Sequence, residues 1–398
     1  MANVSMPTNE PDMSEPQVDN NFSSKSGDGE GKFIRPPAFY DAWQKGEGIP
    51  IYKAYHIDDM NEVELAPWKR FGCDAAFVNL ADPFITTSII IEIAPGQKTN
   101  MIRHMFESWC FVVSGSGETI VEQPGHARQI VRWGKRSLFG PPLNTSYQHI
   151  NTGSEPARIL MVTNAPLTMN LYHNEKFVFD NPFVFEDRFA GEQGFFNEGI
   201  TKLGGRVVRT NFIPDTLEFK LIQWKDRGYG AKSFHMSMSG HTMAAHLSEF
   251  EVGTYKLAHR HGPSAHVILL KGTGYSLLWK EGMEPVRVDW KENSLFCPPE
   301  WTFHQHFNTG PEPARYLALR RGGSPEHPLR IGMTGGAGAP DQIEYPEEPR
   351  WIYDMYEEEL RKNGVEIRQP RQEYKNERNT ILRPAEITRS KSASVSSS

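Results

Sequence analysis

The chain has 398 residues, 38% of them hydrophobic and 23% charged, with a formal net charge of −6. That is too long for one compact core and fits two domains of ordinary size. The negative balance offers no overall attraction to nucleic acid or an anionic membrane. Cys73, Cys110 and Cys297 are scattered, odd in number and without C-x-x-C spacing. They argue against a disulfide framework or zinc ribbon and point to a reducing, cytoplasmic setting. No apolar run is long enough for a transmembrane helix. The N-terminus lacks the basic and apolar regions of a signal peptide.

In chain order, residues 1–32 are rich in Ser, Asn, Asp, Glu, Pro and Gly and are expected to be disordered. A first domain is expected over 33–170. Its runs TTSIIIEIA, SWCFVVSGSGETIV and ARILMVTNA are β-branched or aromatic and bounded by Gly, Pro or Asn, as strands are. Residues 171–205 hold a Phe-rich arm, with seven phenylalanines between Leu171 and Phe196. No solvated linker has that composition, so the arm is expected to pack across a domain or against a second subunit, a lid being the sharper alternative. A second domain is expected over 206–330, with MAAHLSEFEVG, HVILLKGTGYSLLW and ARYLALRRG as strand runs. The Gly-rich IGMTGGAGAP lacks the ending of a phosphate loop and reads as a connector within 331–367. A helix is expected over about Glu347–Lys362, with Arg361 and Lys362 at its end and Gly364 beyond. Trp351, Ile352, Met355, Tyr356 and Leu360 form its apolar face. Residues 368–398 are polar and are expected to be disordered.

The two domains are copies. Gly96 and Gly253 stand 157 residues apart, and the same offset links His104 to His261, Gly115 to Gly272, Gly117 to Gly274, Pro142 to Pro299, His149 to His306 and Asn151 to Asn308. It also links Pro156-Ala157-Arg158 to Pro313-Ala314-Arg315. One offset held without a gap identifies a duplication. Many short strands with Gly and Pro turns suit antiparallel jelly rolls.

Chemistry concentrates in the second copy. His259 and His261 are two apart in a β-leaning run, so both imidazoles share a face. His304 and His306 repeat the pattern on a second run. Imidazole suits iron, zinc, copper and nickel. Gly253, His259, His261 and Gly272, then Pro299, His304 and Asn308, fall in register with the two motifs of the cupin superfamily, G-x5-H-x-H-x3-E-x6-G and P-x-G-x2-H-x3-N. The motif glutamate falls on Ala265 and the second glycine on Trp301. Both departures resemble the three-histidine, ring-cleaving dioxygenases of gentisate, salicylate or hydroxynaphthoate, which show HRH-x2-SA and P-x-W-x2-H-x-H-x-N.

The resemblance implies an all-β chain of two tandem cupin (double-stranded β-helix, jelly-roll) barrels plus a C-terminal helix. It implies His259, His261 and His304 as metal ligands, with Fe(II) as the cofactor and Zn, Ni or Mn as alternatives. Three neutral imidazoles leave the ion its full charge and open positions. The implied function is a mononuclear non-haem Fe(II) dioxygenase cleaving a C–C bond of a small bidentate substrate, a hydroxylated aromatic acid or 1,3-dicarbonyl, with O2 as partner. The alternatives are a non-redox metal cupin (isomerase, decarboxylase or lyase) and a non-catalytic small-ligand bicupin. His306, Trp301 and Arg320 are candidate catalytic groups. For each a plainer role is open: a core histidine, a filler at the barrel mouth and a surface ion pair. His266 is a reserve candidate of wrong parity; Gln305 and Arg260 are expected to face away. The first copy has Ile102 and Tyr147 where His259 and His304 would be, keeps only His104, and has Glu107 out of register. It is expected to be structural or dimer-forming. A homodimer or higher homo-oligomer is expected, with no nucleic-acid or membrane partner.

Overall fold

The structure is a computed structural model that describes residues 36–81, 83–262, 264–329, 341–375 and 377–395. The expected N-terminal tail and the Gly-rich stretch 331–340 lie outside the described residues. The chain forms two jelly-roll units in tandem, each a pair of facing sheets rather than a closed barrel. In the first unit the larger sheet is built on Ser108–Ser114, Ala157–Thr163, Thr87–Ile93 and Cys73–Leu80, and it faces the three strands Ser146–Asn151, Gly117–Glu122 and Gln129–Trp133. In the second unit Lys232–Ser237, Ala244–Phe250, Ala314–Arg320 and Ala265–Lys271 form the core of the larger sheet. Facing them are Ala258–His259, Phe303–Asn308, Gly274–Trp279 and Val286–Trp290.

The repeat is visible in side-chain chemistry. A Cβ at Gly117 would overlap the carbonyl of Ile150 and the ring of Trp133, and one at Gly274 would overlap the carbonyl of Phe307 and the ring of Trp290. Each glycine therefore lets an indole lie across its strand. The indole N–H donates to a hydroxyl, Trp133 to Thr119 at 2.9 Å and Trp290 to Ser276 at 3.0 Å. That hydroxyl meets the Nδ1 of a histidine, His149 at 2.6 Å and His306 at 2.7 Å. Gly274→Ala is expected to lose about 3 kcal/mol or more by overpacking. A urea melt with an unchanged midpoint would show that the strand pair yields instead.

The units exchange strands. His56–Ile57, from the first unit's side of the chain, pairs with Leu295–Phe296 of the second, and Phe212–Ile213 pairs with Leu138–Phe139 of the first. The largest apolar cluster lies between the units, with Trp109, Phe111 and Leu160 meeting Met236, Leu247 and Leu317. Burying such side chains stabilises by roughly 1.5–3 kcal/mol each, so the pair is held as one body.

The arm packs as expected of its phenylalanines. Two short helices, Ala165–Tyr172 and Glu175–Phe179, lead into it. Phe189, Phe195 and Phe196 are buried in the first unit's core, while Phe183 stays exposed.

Two expectations need correction. The C-terminal stretch is not disordered through its described residues. Thr388–Arg389 runs parallel to Val286–Trp290, and Ser394–Val395 adds to the strand Ile51–Ala54. Backbone pairing on an open sheet edge needs no apolar side chains, so composition does not reveal it. The helix is Arg350–Lys362, preceded by a single tight turn at Tyr345–Glu347. Pro349 forces Glu348 into extended backbone and starts the helix three residues late. Ile352, Tyr356 and Leu360 are buried as expected, and so is Tyr353. They pack on Tyr255, Tyr275 and Phe307, the outer face of the second unit's smaller sheet.

Glu348 is 1% exposed beneath this helix. It accepts from the hydroxyl of Tyr255 and from Gln305 at 3.0 Å. Burial pushes its carboxyl up from 4.5 to about 8. The folded chain therefore binds this proton more tightly than the unfolded chain does. The contribution is fully present below the unfolded value and is lost as pH rises through the folded one, at about 1.4 kcal/mol per unit between them. Glu348→Gln is expected to flatten the fall in urea midpoint between pH 5 and 9. Equal slopes in both proteins would mean that Glu348 is ionised in the folded chain.

Candidate metal centre

The second unit's interior is set by one irregularity. Tyr255 lies opposite Phe307, and His259 lies opposite His304. Four residues on one strand thus span three on the other, which is a bulge. It lets Tyr255 face outward onto the helix while Lys256 and His259 both face inward. The first unit carries the same irregularity, with Lys98 opposite Ile150 and Ile102 opposite Tyr147.

His259, His261 and His304 converge. One ligand atom from each lies within 4.8 Å of the others, and the ring centroids are 4.3 to 5.6 Å apart. Bonds of about 2.1 Å hold two nitrogens no more than about 4.2 Å apart, so small ring rotations suffice for one ion. His261 lies past the end of its strand, Ala258–His259, and not on it as simple alternation would have it. Its carbonyl accepts the backbone N–H of Trp301 at 3.1 Å, tying it to the second motif. His259 Nδ1 lies 3.2 Å from the Leu257 carbonyl and His304 Nδ1 lies 3.0 Å from the Thr302 carbonyl. A carbonyl only accepts, so each Nδ1 carries the proton and each Nε2 turns a lone pair to the interior. Burial, with Arg227 and the neighbouring imidazoles, holds His259 well below the usual range, and burial holds His304 down to about 4. Both are neutral at neutral pH, as ligation requires.

The other candidates separate. Ser276 Oγ accepts from Trp290 Nε1 at 3.0 Å and meets His306 Nδ1 at 2.7 Å, which fixes the plane of the imidazole. The His306 ring lies 5.6 Å from His304 and 5.4 Å from Tyr316. His306 is thus an oriented imidazole beside the centre. Trp301 is 40% exposed, with a φ of 57° that bulky residues rarely adopt; a glycine would take it freely. Arg320 is not in a surface ion pair. It points inward opposite Ala244 and Ala265, with no hydrogen bond or ion pair among the described residues. His266 faces the other unit, its Nδ1 2.7 Å from Ser88 Oγ. Gln305 and Arg260 point away from the centre, Gln305 to Glu348 and Arg260 to Asp341 and Glu281. Asn308 spans a turn, donating to the carbonyls of Glu251 and Glu312.

Spacing did not reveal Lys256. It is buried inside the second unit, with its Nζ on Ser248 Oγ and 2.8 Å from Tyr316 OH. A lysine in an otherwise apolar strand run was the available signal. In the first unit the matching positions are engaged otherwise. His104 spends Nδ1 on the Phe106 carbonyl at 2.8 Å and Nε2 on Tyr147 OH at 2.7 Å. Ile102 and Tyr147 belong to its apolar core. Glu107 joins the units, accepting from Arg188 and from Thr242 and Met243 of the second copy.

A surface cleft of about 470 Å³, lined in part by Tyr229, Leu257 and Tyr345, includes none of the three histidines. The described cysteines form no disulfide, and no described helix is long and apolar enough to cross a membrane.

No family model matches the chain, and no curated protein matches it. Solved structures similar to it include one of oxalate decarboxylase, 14% identical with a TM-score of 0.46, covering 78% of this chain and 88% of that one. Another is a mutant of the Bacillus subtilis oxalate decarboxylase, 15% identical with the same score and coverage. A likeness of that size says nothing of what this chain binds or does.

Proposed function

We propose that the chain is a mononuclear, metal-dependent cupin enzyme, with Fe(II) in the second unit and a small bidentate substrate whose C–C bond is cleaved with O2. One observation carries this reading: three imidazoles converge in an interior where the fourth motif position is Ala265. An ion held by His259, His261 and His304 would supply Lewis acidity toward the oxygens of a bidentate substrate and redox chemistry with O2.

The protein's own part is to hold and to shield. Carbonyl contacts to Nδ1 aim two of the imidazoles, which costs no reorganisation on binding. His306 presents one oriented imidazole edge to the interior. The apolar walls, Val267, Leu278 and Phe296 among them, exclude water from a charged substrate. The aryl or enol carbon skeleton lies against that wall while its oxygens face the imidazoles.

A second reading has its own observation. Lys256 and Tyr316 place a proton-donating pair inside the unit, which suits a decarboxylase or lyase using zinc, nickel or manganese without O2. Metal analysis of anaerobically purified protein, followed by oxygen uptake with hydroxylated aromatic acids and 1,3-dicarbonyls, tests the proposal. About one iron per chain with substrate-dependent uptake supports it. Zinc, nickel or manganese with turnover but no uptake replaces it by the non-redox enzyme.

A further inference from the structure

The second unit's inner face carries more positive and hydrogen-donating groups than a three-histidine centre uses. Strand alternation turns His235, His246 and Arg320 inward, because Met236, Leu247 and Leu319 beside them pack into the core between the units. Arg320 stands across from Ala265, where the cupin pattern has an acid, and from Ala244 on its other side. Small neighbours leave its guanidinium without a partner among the described residues.

At the sheet edge, Trp224 lies between two guanidinium groups, Arg206 at 3.9 Å and Arg227 at 5.1 Å from its ring. Arg206 Nη1, Trp224 Nε1 and His246 Nδ1 are each buried without a hydrogen-bond partner among the described residues. A buried unpaired polar atom costs about 1–3 kcal/mol. The charges of both Arg320 and Arg206 reach His235, so these three atoms and the unpaired guanidinium are the groups on this face that an acceptor with negative charge completes. The carboxylate whose field reaches Arg206 and Arg227 is that of Asp226, which is exposed.

The cluster connects to the metal centre through rings. Trp224 and His235 are 5.5 Å apart, His235 and His246 5.3 Å, and His246 and Tyr316 5.8 Å. From Tyr316 the path continues to His306 at 5.4 Å and on to His304 at 5.6 Å. We infer that Arg320, His246, Arg206 and Trp224 form an anion subsite, which holds a carboxylate remote from the metal while the ligand's other end brings two oxygens to the three histidines. The ligand's far end rests on the metal-centre reading above; the anion subsite does not. A substrate seated this way is an acid with a second, non-chelating carboxylate, and not a neutral 1,3-dicarbonyl.

Two compounds that share a chelating end test this. 5-Carboxysalicylate and 5-methylsalicylate differ only in the remote group. Isothermal titration into the metal-loaded full chain is expected to give about tenfold or more tighter binding of the carboxylate compound, the scale of a charge-assisted contact. Arg320→Gln is expected to bring the two affinities together, and Arg320→Lys to keep part of the gap. Arg206→Gln reads the same effect from the sheet edge should Arg320→Gln fail to fold. In the His259→Ala/His304→Ala variant both compounds are expected to weaken while their ratio persists. Equal affinities in the unaltered protein, binding of neither compound, or a ratio untouched by both Arg320→Gln and Arg206→Gln would overturn the subsite. A variant that keeps its metal would overturn the metal centre and leave the ratio as a separate result.

Discussion

Metal content is expected to fall from about one ion per chain to near zero in His261→Ala, and turnover with it. Losing one of three protein ligands removes a third of the donor set, and Ala265 offers nothing to replace it. The fold is expected to survive, because His261 lies past the end of its strand and it is its backbone carbonyl, retained in alanine, that accepts from Trp301. The His259→Ala/His304→Ala variant is expected to behave alike, and Tyr147→Phe in the first unit to leave metal content unchanged. Elemental analysis beside a thermal melt separates loss of metal from loss of fold. Stoichiometric metal in a folded His261→Ala protein would place the ion elsewhere.

The second large effect is a gain. Ile102 and Tyr147 face each other across the first unit just as His259 and His304 do across the second, with the same bulge beside them. His104 already occupies the position of His261. Ile102→His with Tyr147→His is therefore expected to raise the metal content to about two ions per chain. The Tyr147 change also frees His104 Nε2 from the phenol it now meets. Two buried imidazoles in an apolar core cost roughly 2–7 kcal/mol without metal. The double variant should melt earlier than the parent when stripped, and recover on adding Zn2+ or Fe2+. A stripped variant that folds yet takes up no second ion would show that the register match does not carry over to side-chain geometry.

These two results depend on features that differ in how far they can be read from the chain. The duplication is visible in one dimension because equal spacing of Gly, Pro, His and Asn survives in each copy. Those residues recur because each copy uses them alike: Gly117 and Gly274 let an indole cross the strand, and Asn151 and Asn308 each donate to one carbonyl across a turn and to one at the end of a neighbouring strand. The three-histidine cluster is equally visible, since motif spacing records residues that come together. That the first copy has Ile102 and Tyr147 in place of two of the three histidines follows from the same comparison.

Arg320 shows the limit. Its phase with Tyr316 and Ala318 puts it on the inner face, yet whether it finds an acid there depends on the residues across from it, and those come from strands more than fifty residues away. Lys256 faces inward only because a bulge shifts the alternation, and a bulge leaves no mark in hydrophobic period. The C-terminal stretch lacks apolar content but pairs through its backbone, which composition does not register.

The sequence by itself determined the doubled jelly roll, the three-histidine set and the half of the chain that holds it, because side-chain identity at fixed local spacing decides each of these. Only the tertiary structure decided the exchange of strands between units, the inward turn of Lys256, the unpaired Arg320 and the buried Glu348. Each depends on which backbone and which charge lie opposite, and that is set by long-range strand pairing.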